Sequence, residues 1–126
     1  MKKLSIPYPT IGLDLDGTIT ENPLFFQVLT QNWPGDVIIV TYRSEKGNAE
    51  EFLKNNFIKY SKLVLASKMD KSDLILEHGI DVYVDDQDEM IYNIPESVTV
   101  LKIRNGGNFD HDDKKWLYSS KTGKEI

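Results

Sequence analysis

The sequence predicts an α/β fold organised around a mainly parallel central sheet. Short apolar runs alternate with helix-patterned segments along the whole chain, which is the order that strand–helix–strand units require. The run Val37 to Val40 is continuous and β-branched, as in a strand covered on both faces. The residues that close the apolar runs are Asp, Thr, Ser or Lys, and the carboxyl ends of parallel strands are where such folds form their crevice.

Taken in order, TIGLDLD reads as the first strand, followed by a Gly-containing turn. Pro23 to Trp33, PLFFQVLTQNW, has a helix-compatible apolar pattern with Pro23 near its start, and Pro34–Gly35 stops it. DVIIVTYR is the second strand. EKGNAEEFLKNNFIKY reads as mostly helical, with Ala49, Phe52, Leu53 and Phe57 toward one side. KLVLAS is a third strand. MDKSDLILEHG is a helix with Asp70 as N-cap, Asp73 at the capping-box position and Gly79 as its close. DVYVDD is the fourth strand, QDEMIYNI a short helix before Pro95, and SVTVLKI the fifth strand. The segment from 106 to 126 reads as an irregular tail whose Trp116, Leu117 and Tyr118 could dock on the body while its last residues fray.

The 126 residues, 40% hydrophobic and 28% charged, suit one domain with a single core. A formal charge of −5 argues against a general nucleic-acid-binding surface. The absence of cysteine removes disulfides, thiolate nucleophiles and cysteine-bound zinc. The N-terminal MKKLSIPYPTIGLDLDG lacks the apolar core of a signal peptide, and no run is long enough to span a membrane. The expectation is a soluble cytoplasmic protein with no membrane partner.

The strand ends collect Asp14 and Asp16, Thr41 with Arg43, Ser67 or Lys68, and Asp85 with Asp86. On an extended strand, period two places Asp14 and Asp16 on one side, with Leu13 and Leu15 on the other. Two neighbouring carboxylates repel, so burying them requires a raised pKa or a cation. With strands one and four both approaching the crevice, four acids converge, and Mg2+, which takes a few carboxylates and fills its shell with water or phosphate, suits that charge. Taken singly, each acidic pair could mark only a solvated strand end. Lys71, near a helix start where the dipole disfavours a cation, could snorkel into water or reach the crevice to balance the acids and hold a phosphate. The Thr41 hydroxyl could bond an anionic oxygen or simply finish its strand, and Arg43 could clamp an anion or be a surface charge.

Together these groups suit phosphoryl transfer to water, with one aspartate attacking phosphorus and another handling protons. No Gly-rich run ends in Gly-Lys-Ser or Gly-Lys-Thr, so a P-loop is not expected. His78 and His111 lie on a helix back and in the tail, which makes a Ser-His-Asp enzyme a weak alternative.

With these motifs the chain resembles the haloacid dehalogenase-like phosphatase superfamily. DLDGT, Asp14 to Thr18, is similar to its first motif, Thr41 in IIVTYR to its second, Lys71 in MDKSDLI to its third, with Lys68 as the alternate, and VDD, Val84 to Asp86, to its fourth. The resemblance runs over roughly residues 8 to 105. It implies a three-layer Rossmann-like domain, an aspartyl-phosphate mechanism and Mg2+. By that resemblance Asp14 is the nucleophile and a metal ligand, and Asp16 is the general acid/base whose main-chain carbonyl contacts the metal. Thr41 and Lys71 orient the phosphoryl group, Asp86 is the main fourth-motif ligand, and Asp85 binds or orients the metal shell. Asp88 or Glu89 could assist from the next helical turn.

Only 24 residues separate Asp16 from Thr41 and 29 separate Thr41 from Lys71, too few for a cap domain beside the strand and helix each interval holds. The expectation is a capless member with an open crevice, acting on a phosphorylated small molecule or macromolecule, with homo-oligomerisation as one way to close the site. The alternatives are a catalytically silent binding domain of the same fold and a response-regulator-type phosphoacceptor. The second acidic pair falling after the lysine argues against the latter.

Overall fold

The computed structural model describes residues 8–117. Five parallel strands form the central sheet: β1 (Ile11–Leu13), β2 (Val37–Thr41), β3 (Lys62–Leu65), β4 (Val82–Asp85) and β5 (Thr99–Lys102), in the spatial order β3-β2-β1-β4-β5. Helices α1 (Pro23–Asn32), α2 (Lys46–Asn55), α3 (Ser72–Glu77) and α4 (Asp88–Ile91) make the connections. The expected fold class is present: a Rossmann-like three-layer domain without a cap among the described residues.

The pleat of β2 explains the layering. All five of its residues are buried, with Val37 and Ile39 turned to one face and Ile38 and Val40 to the other. The first face packs on Phe26 of α1 and on Ala49 and Leu53 of α2. The second packs on Ile75 of α3, with Leu74 and Ile91 partly buried beside it. Each fully buried side chain such as Ile39 or Leu53 contributes about 1.5–3 kcal/mol relative to exposure.

Several elements differ from the sequence reading, each for a local reason. β1 ends at Leu13, although the Asp14 amide still donates to the Val84 carbonyl at 2.9 Å, so Asp14 stays at the sheet and Asp16 lies beyond it in a turn. Asn22, not read as a cap, accepts the Phe25 amide and starts α1. α2 stops at Asn55. Phe57 adopts φ 55° and is exposed, and Ile58 takes the core position assigned to it. The Asp70 carboxylate accepts the Ser72 amide and hydroxyl at 2.9 and 2.7 Å, but Lys71 occupies the cap position of α3. Asp73 makes no cap and pairs loosely with Lys68. Gly79 closes α3 at φ 64°.

The segment read as an irregular tail contains a hairpin, β6 (Phe109–Asp110) and β7 (Lys115–Trp116), paired Phe109 to Trp116 and Asp110 to Lys115. The Asp110 carboxylate accepts the Asp112 and Asp113 amides and so turns the chain. Phe109 is buried against the Trp116 ring, and Lys102 of β5 lies over that ring at 4.3 Å. The Leu117 amide donates to the Asn108 carbonyl at 2.7 Å, and Trp116 keeps about a third of its surface exposed. Tyr118 and the final residues lie outside the described residues. No helix among the described residues is long and apolar enough to cross a membrane.

Candidate active site

The strand order changes direction between β1 and β4, and the carboxyl ends of strands at such a switch point are where a crevice forms. Asp14 follows β1, while Asp85 ends β4 with Asp86 next to it. All three are buried, and carboxylate oxygens of the three lie within 4.8 Å of one another.

Lys71 is completely buried in the middle of this group. Its Nζ contacts Asp14 Oδ1 at 2.8 Å, Asp85 Oδ2 at 2.9 Å, the Tyr83 hydroxyl oxygen at 2.9 Å and the Val40 carbonyl at 3.0 Å. Burial pulls the Lys71 pKa down, but the Asp14 and Asp85 charges outweigh it and hold the pKa above its ordinary value, so the ammonium stays charged. Lys68, the alternate, is exposed and turned toward Asp73. Tyr83 was not singled out in the sequence, although period two on β4 puts it on the same side as Asp85. Its hydroxyl donates to Asp85 Oδ2 at 2.6 Å, and burial followed by the Asp85 charge pushes its pKa well up.

The three acids have different surroundings. Asp85 Oδ1 accepts the Asp86 and Gln87 amides, and its Oδ2 accepts Lys71 and Tyr83. Both oxygens are therefore occupied in orienting the lysine and the loop after β4. Asp14 Oδ2 accepts the Thr18 hydroxyl at 3.2 Å. Burial raises the Asp14 pKa well above the carboxylate range, with the Lys71 charge opposing and the Asp85 charge adding to the shift. Asp86 is the one with a spare oxygen. Its Oδ2 accepts from Asn105, but Oδ1 is buried without a hydrogen-bond donor. Burial raises its pKa to about 6, an Asn105 hydrogen bond opposes this and the Asp85 charge adds to it. The orphan oxygens nearby, Asp86 Oδ1 and Gln87 Oε1, are acceptors, which a cation can satisfy and a further anion cannot. An all-oxygen set of this kind fits a hard divalent cation, and the Asp14–Asp85–Asp86 cluster could hold one.

Asp16 does not join the cluster. It belongs to the turn beyond β1, and its exposed carboxylate is held bidentately by Arg43, with Nε at 2.8 Å and Nη2 at 2.7 Å. Three acids converge where four were expected, because the strand ends before the alternation reaches Asp16. The bond to Asp16 leads the causes that raise the Arg43 pKa, and Asn48 accepts from Nη1 at 2.7 Å. Thr41 is buried at the end of β2, its hydroxyl oxygen accepting the Arg43 amide at 3.3 Å. Asp88 pairs with Lys102 at 2.7 Å, while Glu89 Oε2 is buried without a partner. His78 and His111 lie outside this group, the latter against Phe109.

Asp14, Asp16, Tyr42, Arg43, Gln87 and Met90 line a pocket above the cluster, and further openings flank it on the Arg43 and Asn105 sides. Gly17 lines the opening on the Asn105 side with φ 81°, and a Cβ there would run into the Asp86 carboxylate. Gly17→Ala is therefore expected to cost about 1–3 kcal/mol in backbone strain, with displacement of Asp86 added. Urea denaturation of the two proteins measures it, and equal midpoints would contradict the close packing described. Asn105 and Asn108 are the other groups that the sequence reading missed; the only signal was the Asn/Gly-rich turn NGGN.

Compared with known proteins, the chain matches no protein-family model, no curated protein and no solved structure.

Proposed function

We propose that the protein is a magnesium-dependent phosphoric monoester hydrolase that works through an aspartyl-phosphate on Asp14, in the manner of the haloacid dehalogenase-like phosphatases it resembles. The observation that carries the reading is the buried Asp14–Lys71–Asp85 contact set at the β1/β4 switch point, with the donorless Asp86 Oδ1 beside it. Excess buried negative charge needs a cation, and the pocket above opens to a substrate. Asp14 and Asp86 would hold Mg2+ with Asp85 orienting them, and the ion supplies charge neutralisation to the phosphoryl group.

In the first half-reaction an Asp14 carboxylate oxygen forms a bond to phosphorus, and the bond from phosphorus to the ester oxygen breaks. Asp16 gives its proton to the departing oxygen. In the second half, Asp16 takes a proton from water, the water oxygen bonds to phosphorus, and the Asp14–phosphorus link breaks to release phosphate. Lys71 holds Asp14 in place and balances its charge, and the Thr41 hydroxyl at the end of β2 would bond the phosphoryl oxygens. Arg43 must loosen its hold on Asp16 for proton transfer, and a phosphate dianion is a competing bidentate partner for the same guanidinium. The uncapped pocket, with further openings beside it, suits a phosphorylated small molecule or an accessible phosphate on a macromolecule, and assembly of copies could cover it. The test is Mg2+-dependent phosphate release across diverse phosphate esters. No turnover on any ester by folded protein overturns the assignment.

The shifted Asp86 pKa gives a pH signature. In the folded, metal-free protein Asp86 binds its proton more tightly than in the unfolded chain, where its value is 3.8. Its contribution therefore favours the fold at low pH and is lost as pH rises from 3.8 through about 6. In EDTA, Asp86→Asn is expected to gain in melting temperature on the parent across that interval. A divalent cation competes with the same proton, so its affinity for the parent should fall below about pH 6. A pH-independent difference between the two proteins would remove this account of Asp86.

A further inference from the structure

We propose that Asn105 is a positioning residue for the cation site, clamping the turn after β1 to the loop after β4 and setting which Asp86 oxygen faces the acidic cluster. This rests on the divalent-cation reading of Asp14 and Asp86 given above. The Asn105 side-chain nitrogen donates to the Gly17 carbonyl at 2.9 Å and to Asp86 Oδ2 at 3.0 Å. One amide group thus spans the segments carrying Asp14 and Asp86, which are far apart in sequence.

The orientation of this amide is fixed by its other end. Asn105 Oδ1 accepts the Gly107 amide at 2.8 Å and the Asn108 amide at 3.1 Å, so the oxygen must face the turn and the nitrogen must face the site. Asn108 locks the turn in return. It is buried, its side-chain nitrogen donates to the Asp86 and Ile103 carbonyls, each at 2.7 Å, and its oxygen accepts the Asn105 amide at 2.8 Å. The turn therefore grips both the main chain and the carboxylate of Asp86. With Oδ2 taken by Asn105, Oδ1 is left without a donor and free to meet a cation. Outer-shell hydrogen bonds of this kind orient metal-binding carboxylates, and losing one typically weakens metal affinity by about 10–100-fold.

The test is Mn2+ binding by isothermal titration calorimetry on the full chain, with Asn105→Ser and Asn105→Ala. Serine can still accept the turn amides but is too short to reach Gly17 and Asp86 together. Asn105→Ser is expected to remain folded by circular dichroism and to bind Mn2+ at least about tenfold more weakly. Asn105→Ala should show at least the same loss, and it stands in if the serine variant does not fold. Affinity within about twofold of the parent in a folded variant overturns the clamp and leaves the phosphatase reading intact. A parent that binds no Mn2+ overturns the cation reading and the clamp with it. Weakened Mn2+ binding in a protein that hydrolyses no phosphate ester supports the clamp while removing the phosphatase assignment.

Discussion

Asp14→Asn is expected to reduce Mg2+-dependent phosphate release by roughly a thousandfold or more while leaving the protein folded. The loss follows from chemistry: a neutral amide oxygen is a poor nucleophile toward phosphorus and a weaker metal ligand than a carboxylate. The retained fold follows from the surroundings of Asp14. An asparagine has nearly the same shape, its oxygen can still accept from Lys71, and the substitution removes one of three mutually repelling buried carboxylates. Metal-free Asp14→Asn should therefore melt close to the parent. Phosphate release, read with the melting temperature, separates a chemical loss from a structural one. Turnover near that of the parent in folded Asp14→Asn would mean that phosphorus is attacked by something other than Asp14.

Lys71→Met is expected to produce the largest loss of stability, about 3–5 kcal/mol, by removing the cation that a buried group of acids faces. Methionine fills much of the lysine volume, so packing changes little. It leaves Asp14 and Asp85 without their common partner, and the Val40 carbonyl and Tyr83 hydroxyl without its donation. In the parent the Lys71 pKa lies above its ordinary 10.5, so its contribution is fully present below that value and is lost only as pH rises through the folded-state pKa. In the variant the uncompensated carboxylates take up protons instead. Its deficit should be greatest at neutral pH and shrink on acidification toward the carboxylate range. Chemical denaturation at two pH values measures this. A deficit of under about 1 kcal/mol would show that these contacts add little, as at an exposed pair. The same substitution should abolish turnover, because Asp14 loses the contact that fixes it.

The two substitutions act in opposite directions on one imbalance. Lys71 neutralises only one of the three acids in the cluster, and the remaining negative charge is concentrated at Asp14 and Asp86, which lie close enough to share a proton. A proton there at low pH and a metal ion at higher pH are alternative ways to satisfy the same oxygens. The Arg43–Asp16 pair stands apart from this balance, half out in solvent, where its partners can exchange at low cost.

The sequence by itself determined the layer architecture and the strand ends at which the acids appear. Alternation of apolar runs with helical patterns is a local property, and the branched run of β2 suggests a strand covered on both faces. DLDGT, Thr41, Lys71 and the Asp85–Asp86 pair were legible for the same reason, since each marks the end or start of an element. Only the tertiary structure decided which of these groups meet. The order β3-β2-β1-β4-β5 brings Asp14 beside Asp85 and Asp86, and the path into α3 buries Lys71 between them while Lys68 remains outside. The early end of β1 sends Asp16 to Arg43, a difference that no count of period two along TIGLDLD could reveal. Asn105 and Asn108 were hidden most completely. Within NGGN they carry only turn chemistry, and their grip on Gly17 and Asp86 exists because the chain leaving β5 passes the mouth of β1 and β4. Periodicity and capping act over a few residues, whereas a buried charge network depends on strand order and register, which are set by the packing of the whole sheet.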